Sequence, residues 1–323
     1  MLIRPEKLAD YNAIANLNYN SFVAKHPHYY KSEPLIASVL RHNQHFDPEL
    51  SLVAELDGRV VGHALFSPFE FVVLGQKKPC VFLAPLAVDG RLQGQGVGSR
   101  LMEEGHRVAR DRGYALSILC GIPEYYPRFG YLQQAFAVTG ATIELSEPIA
   151  ELPEISERPV MESDLPWITD RWQRVHGNDR LAWFPGESIS QWFNHSLAYR
   201  SSVFMCGSAR VAYVKYRHTA PLRVNELLTE PGYAEAVLTY LQREHSSQEQ
   251  VSIGASMRAT AIAAQLADSA RINVQEYIRT SDALMLKVLD HQDEQIRRYC
   301  AEAKISQRNL GVLAFPTLMD IDN

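Results

Sequence analysis

The sequence predicts an α/β fold of the α+β kind, a mixed sheet with helices, built twice in tandem along one chain. Three observations carry this reading. Apolar runs joined by tight-turn residues mark antiparallel hairpins, as in SLVAEL, Asp57-Gly58, VVGHALF. Segments of helical period stand between the strand runs, the clearest being SRLMEEGHRVARDRG. The same order of patterns returns after residue 157, which is the signature of an internal repeat.

The elements follow in order. A short strand at Leu2–Arg4 leads into a helix through DYNAIANLNYNSF. The loop KHPHYYKSEP then precedes a second helix near PLIASVLRHN. After the Asp57-Gly58 hairpin comes another, FEFVVL, turn GQKKP, strand CVFLAPLAV. Pro85 lies inside that last strand. It has no N–H to give to a ladder, so a bulge or splay is expected there. Next come a glycine-rich turn, RLQGQGVGSR, and a helix with apolar positions Leu101, Met102 and Val108 that stops at Gly113. ALSILCG is a buried strand, PEYYPRFGY a short helical turn, and AFAVTGATIEL the closing strands of the first unit.

The proline- and acid-rich stretch LSEPIAELPEISERP reads as a linker. The expected units are 1–147, a linker 148–157, and 158–323. IRPEKLADYNAI near residue 3 resembles ERPVMESDLPWI near residue 157. RVAYVKY and LRVNELLTE match the hairpin strands, PGYAEAVLTYLQREH the helix after the glycine turn, and VSIGAS the strand ALSILCG. The tail LDHQDEQIRRYCAEAKISQRNL is an amphipathic helix expected to cap the second unit or to mediate association.

The bulk properties narrow the function. With 46% hydrophobic and 21% charged residues the chain is an ordinary globular one. A net charge of -5 argues against a broad nucleic-acid-binding face and suits a cationic substrate. MLIRPEKLAD has no apolar core of a signal peptide, and no apolar run reaches membrane-spanning length, so no membrane partner is expected. The four cysteines form no CxxC pair and suit reduced thiols in the cytoplasm. His42 and His45 have no acidic or cysteine neighbour that would complete a site, so no metal is expected.

The glycine-rich turn carries the chemistry. Gly94, Gly96 and Gly98 let backbone N–H groups approach an anion, and the following helix adds its positive end. No GK[ST] follows, so it is not a P-loop. The GxGxG spacing after antiparallel hairpins does not suit a dinucleotide fold either. A nucleotide enzyme is thus the poorer reading. Gln93-x-x-Gly96-x-Gly98 after Leu86-Ala87-Val88, followed by SILCGIPEYYPRFGY, resembles the GNAT acetyltransferase superfamily over roughly the first 145 residues. That resemblance implies a GNAT fold and acetyl-CoA as acetyl donor, held by Leu86, Ala87, Val88, Arg91, Gln93, Gly94, Gln95, Gly96, Val97, Gly98, Ser99 and Arg100. It implies N-acetyltransferase activity on a primary amine of a small molecule or peptide. Tyr126, four residues before Gly130, is then the acid that protonates the CoA thiolate, and the Val88 N–H the oxyanion donor.

Departures from the family pattern matter as well. Phe82 stands where some members carry a glutamate base, which leaves Glu70 on the adjoining strand, or a water chain, for that role. The same departure motivates a rival reading, a non-catalytic acyl-CoA-binding sensor or scaffold. Within KHPHYYKSEP, His26, His28, Tyr29 and Tyr30 are candidate acceptor contacts or a base. Cys120 reads as a core thiol. Trp167 and Trp172 read as core, whereas Trp183 and Trp192 are candidates for an acceptor cleft or dimer contact. The second unit has TEPGYAE in place of GRLQGQGVGS and reads as degenerate, without the ligand. A monomer or homodimer is expected.

Overall fold

Two seven-stranded sheets organise the chain, and each takes strands from both halves of the sequence. The computed structural model describes residues 1–22, 33–146, 152–193, 196–219, 221–245, 252–257, 259–265, 272–305, 310, 311 and 313. The first half runs β1 (Leu2–Pro5), α1 (Tyr11–Phe22), α2 (Glu33–Leu40), β2 (Ser51–Leu56), β3 (Arg59–Val73), β4 (Gln76–Val88), α3 (Val97–Asp111), β5 (Leu116–Cys120) and β6 (Ala137–Leu145). The second continues with β7 (Ser156–Pro159), α4 (Leu165–His176), β8 (Leu181–Phe184), β9 (Tyr199–Cys206), β10 (Ala209–Arg217), β11 (Arg223–Thr229), α5 (Ala234–His245), β12 (Ser252–Ala255), α6 (Ala259–Ala263), β13 (Ile272–Thr280), β14 (Leu284–Val288) and α7 (Glu294–Ile305).

The hairpin turns follow from backbone chemistry. Asp57 and Gly58 both have positive φ (49° and 73°), the pair of left-handed residues that a two-residue hairpin turn needs. The second turn is Leu74-Gly75, with φ of 46° and 81°, and not the longer GQKKP. VVGHALF and FEFVVL are also one 15-residue strand, not two. Helices and chain cover both faces of β3, so nearly all its residues are buried and the period of two that marks a half-buried strand is lost.

The first sheet runs β1-β2-β3-β4-β5-β14, with β8 added to the far end of β3. On one face α3 buries Val97, Leu101, Met102 and Ala109 against Ala64, Phe66, Val81 and Leu83. Gly113 ends the helix in the left-handed conformation (φ 80°), and the Tyr114 N–H returns to the Ala109 carbonyl at 3.0 Å. On the other face Ala37 and Leu40 of α2 pack with Phe69, Phe71 and Phe82.

The second sheet runs β13-β6-β12-β11-β10-β9-β7. The halves therefore exchange strands across the expected 147/158 division. β6 lies between β12 and β13, and the late strand β14 closes the first sheet beside β5. The alternation in AFAVTGATIEL specifies a strand but not the sheet edge it joins. Trp183 and Trp192, candidates for a cleft or dimer contact, are both buried. β8 carries Trp183 into the first sheet's core, 4.9 Å from the Phe71 ring and 4.8 Å from Phe82, and Trp192 is buried against Tyr213. Nor does α7 cap the second half: its Ile296 and Tyr299 join the first sheet's core, and the Tyr299 hydroxyl donates to the Ala135 carbonyl at 2.7 Å.

The repeat is visible atom by atom. Arg4 donates to Asp10 at 2.7 Å, and the Asp10 carboxylate accepts the Lys7 N–H at 2.7 Å. Arg158, Asp164 and the Met161 N–H repeat this arrangement at 2.7 and 2.8 Å. Likewise the Asp89 N–H returns to the Val61 carbonyl, and the Glu230 N–H to that of Val211.

Candidate active site

β4 and β5 pair in parallel only over Cys80–Phe82 with Leu116–Ile118, and then part. A register shift opposite Pro85, between Ala64 and Phe66 of β3, reverses the alternation of β4. Val81 and Leu83 face α3 before it; Leu86 and Val88 do so after it. Beyond the parting, β4 keeps β3 on one side (Leu86 opposite Ala64, Val88 opposite Gly62), and its other edge lies open toward β5. The Val88 carbonyl on this edge accepts from Ser21 Oγ of α1 at 3.2 Å and from Gln93 Nε2 at 3.1 Å. Sequence reasoning missed Ser21, because a serine in a helix carries no signal of its partner.

The glycine turn follows directly. Gly94 and Gly96 have φ of 78° and 82°, a conformation that glycine adopts without a Cβ penalty. Gly98 serves differently: a Cβ there would stand 2.4 Å from the Tyr125 hydroxyl. Gly96 begins α3 with no side-chain cap. The first intrahelical bond runs from the Arg100 N–H to the Gly96 carbonyl, so the N–H groups of Val97, Gly98 and Ser99 are left pointing out of the helix start. Unsatisfied donors at the positive end of a helix form an anion site. Gln95, exposed, donates to the Arg91 carbonyl and braces the turn at 3.0 Å. Arg91 is exposed and paired with Asp89 at 2.9 Å, so it must leave that carboxylate to meet a phosphate. Arg100 is exposed one helical turn on.

Tyr126 opens the short helical turn Tyr126–Phe129 that follows β5. Its ring lies against Gly121, where a Cβ would stand 2.4 Å from Cε2, and meets Tyr125 and Tyr131 edge-on at 5.0 and 5.8 Å. Among the described residues its hydroxyl has no hydrogen-bond partner. Burial raises its pKa above the usual tyrosine value, so the hydroxyl stays protonated and able to donate. Cys120, at the end of β5, is exposed and not the core thiol expected; desolvation by its neighbours still raises its thiol pKa, which disfavours a nucleophilic thiolate.

Glu70 is not brought to this place. It lies opposite Pro79, six residues along β3 from Ala64, or about 20 Å. Its exposed carboxylate faces Lys77 at 3.4 Å. Phe82 is buried against Trp183, so no carboxylate replaces the family glutamate there. His26, His28, Tyr29 and Tyr30 lie outside the described residues.

The profile of the acetyltransferase (GNAT) family matches residues 11–131. The uncharacterized N-acetyltransferase YhbS of Escherichia coli K12 is 34% identical over 113 residues, 30% of this chain and 66% of its own length. This chain belongs to the GNAT superfamily. The match thus spans slightly less than two thirds of that relative. A structure of YhbS from Escherichia coli in complex with CoA is 36% identical, covering 42% of this chain and 69% of its own, with a TM-score of 0.36. A probable N-acyltransferase from Enterococcus faecalis V583 shares the fold across both halves: TM-score 0.65 at 14% identity, covering 90% of this chain and 73% of its own.

The fold is that of two tandem GNAT-like units, and the second differs from the first where a ligand would sit. In the repeat, Glu230 takes the place of Asp89, and Leu227 and Thr229 those of Leu86 and Val88. One left-handed glycine, Gly232 (φ 84°), remains before α5. The Glu230 carboxylate stands in this loop, held by Arg171 at 2.7 Å and Trp167 Nε1 at 2.8 Å. The open edge of β11 is filled by a side chain. Buried Gln265 accepts from the Thr229 N–H at 2.7 Å and donates to the Leu227 carbonyl at 2.7 Å.

Proposed function

We propose that this chain is an acetyl-CoA-dependent N-acetyltransferase, cytoplasmic and acting as a monomer or homodimer. Its first unit moves acetyl directly to a primary amine of a small molecule or peptide. The observation that carries this reading is the uncapped start of α3 beside the open edge of β4. A charged pyrophosphate suits the N–H groups of Val97, Gly98 and Ser99, with Gly94 and Gly96 giving backbone access and Arg100 and a displaced Arg91 adding charge. An extended amide chain suits the edge of Leu86, Ala87 and Val88. Gln265 supports this, since its amide makes one accepting and one donating bond to the equivalent edge of the second unit.

Acetyl-CoA supplies an activated acyl carbon: the amine forms the new C–N bond as the C–S bond breaks. The chain's residues do the rest. The Val88 N–H stabilises the negative charge that develops on the thioester oxygen. Tyr126, kept protonated by burial, gives its proton to the departing thiolate. The amine must be neutral when it attacks. With Glu70 distant along β3, its proton leaves through water.

The test is a thermal-shift titration of the purified chain with acetyl-CoA, CoA, NADH and ATP, since a ligand that binds only the folded state raises the melting point. Acetyl-CoA and CoA raise it with one equivalent bound per chain, NADH and ATP do not, and Gly96→Glu abolishes the effect. Stabilisation by a nucleotide and not by acetyl-CoA overturns the reading. A panel of amino acids, polyamines, aminoglycosides and short peptides, followed by CoA thiol release, then identifies an acceptor. Binding without turnover on any of them selects the sensor instead.

A further inference from the structure

The turn that carries Tyr126 is built by the first half but supported by the second. Residues 282–288 lead into β14 and form it, and they meet the Tyr126 region at successive points. The Gly121 N–H, in the glycine against which the Tyr126 ring lies, donates to the Ala283 carbonyl at 2.9 Å. Leu132 exchanges two backbone hydrogen bonds with Leu286, at 2.8 and 3.1 Å. Gln134 Nε2 donates to Asp282 at 2.7 Å. Between these, half-buried Lys287 sends Nζ to the Phe129 carbonyl at 2.5 Å. Gly130 leaves room for it, since a Cβ there would stand 3.0 Å from Nζ.

Phe129 is the last residue of the Tyr126–Phe129 turn, where carbonyls lack intrahelical donors. A cation at this negative end fixes the turn as a unit. Ser117, opposite Lys287 in the β5–β14 pairing, holds the Tyr131 hydroxyl at 2.6 Å, so the turn's other end is tied to the same strand pair. We propose that Lys287, contributed by the degenerate unit, is a positioning residue for Tyr126: it holds the acid's turn at the parting of β4 and β5. This rests on Tyr126 being the acid. The second unit then serves the reaction by completing the active site of the first, although its own groove is filled by Gln265.

The experiment is a double-mutant cycle on the full chain, read as CoA thiol release with the best amine of the panel above. Tyr126→Phe lowers kcat about 100-fold, in the range of general acid catalysis. Lys287→Met lowers kcat about 10-fold with the acetyl-CoA KM unchanged, and Lys287→Arg restores most of it. Lys287→Met in the Tyr126→Phe background adds no further loss. An unchanged acetyl-CoA thermal shift in each variant confirms a folded cofactor site. If Tyr126→Phe is crippled while Lys287→Met is silent, or its loss multiplies with that of Tyr126→Phe, the positioning role is overturned and the acid assignment stands. A silent Tyr126→Phe, or no acetylated amine at all, overturns the acid assignment and this proposal with it.

Discussion

His106 shows how one buried residue couples the packing around the Tyr126–Phe129 turn to pH. Its Nε2 lies 3.0 Å from the Tyr131 hydroxyl under α3, and desolvation, with Lys287 and Arg110 nearby, lowers its pKa to about 3. Between pH 6.5 and 3 the unfolded chain therefore binds more protons than the folded one. The associated stability is complete above pH 6.5 and is lost as pH falls toward 3. His63, fully buried beside Ser51 and Glu6, is shifted down by desolvation and acts in the same sense. Urea unfolding should thus show the wild-type midpoint falling from pH 7 to 5, above the range where most carboxylates titrate. His106→Gln should start lower at pH 7 and fall less steeply. An identical fall in both proteins would remove His106 from this account. At this scale the left-handed turn at Gly94 and Gly96 was legible because glycine spacing limits the backbone, whereas Tyr126 was named through the family resemblance. Lys287 was not, because no local pattern in ALMLKV names a carbonyl more than 150 residues away.

At the scale of the element, α3 is the part whose sequence and structure agree most closely, and the agreement explains how the anion site is aimed. Its apolar stripe and its Gly113 stop were readable, but the reason for Gly105 was not. That glycine presses on β3, where a Cβ would stand 2.0 Å from the Phe66 ring. Gly62 of β3 makes the reciprocal approach, where a Cβ would stand 2.9 Å from Leu101 and Val97. Two missing side chains thus let helix and sheet approach closely, which sets the start of α3 beside Val88. Gly105→Val should cost about 1–3 kcal/mol by overpacking, read as a lower urea midpoint. It should also weaken the acetyl-CoA thermal shift, because displacing the helix moves the N–H groups of residues 97–99 from the β4 edge. A variant that loses stability yet keeps the full shift would show that the loop is positioned without the helix. β3 marks the limit of pattern reading here, since burial on both faces erased its period and made one strand look like two.

At the scale of the molecule, the linker reads as a boundary, but strand pairing does not respect it. Composition locates a change of segment and says nothing about which sheet edge each strand finds, so the tandem repeat was legible and the exchange was not. The exchange bears on whether the halves can be separated. Residues 1–147 alone would lack β14, β8 and α7. The β5 edge would be bare, and Phe69, Phe71 and Phe82 would lose Trp183, Ile296 and Tyr299. β6 would in turn lose both its partners, β12 and β13, leaving nine residues of AVTGATIEL with two open edges, a template for aggregation. A truncated chain ending at 147 should therefore be insoluble or unfolded by circular dichroism and show no acetyl-CoA-dependent melting shift. Co-expression of 1–151 with 152–323 should restore both, because every strand pair can re-form across a cut placed between β6 and β7. Recovery of 1–147 as a folded, acetyl-CoA-binding monomer would mean that β14 is dispensable to the first sheet, and that the second unit's contribution to the site is one of addition and not completion.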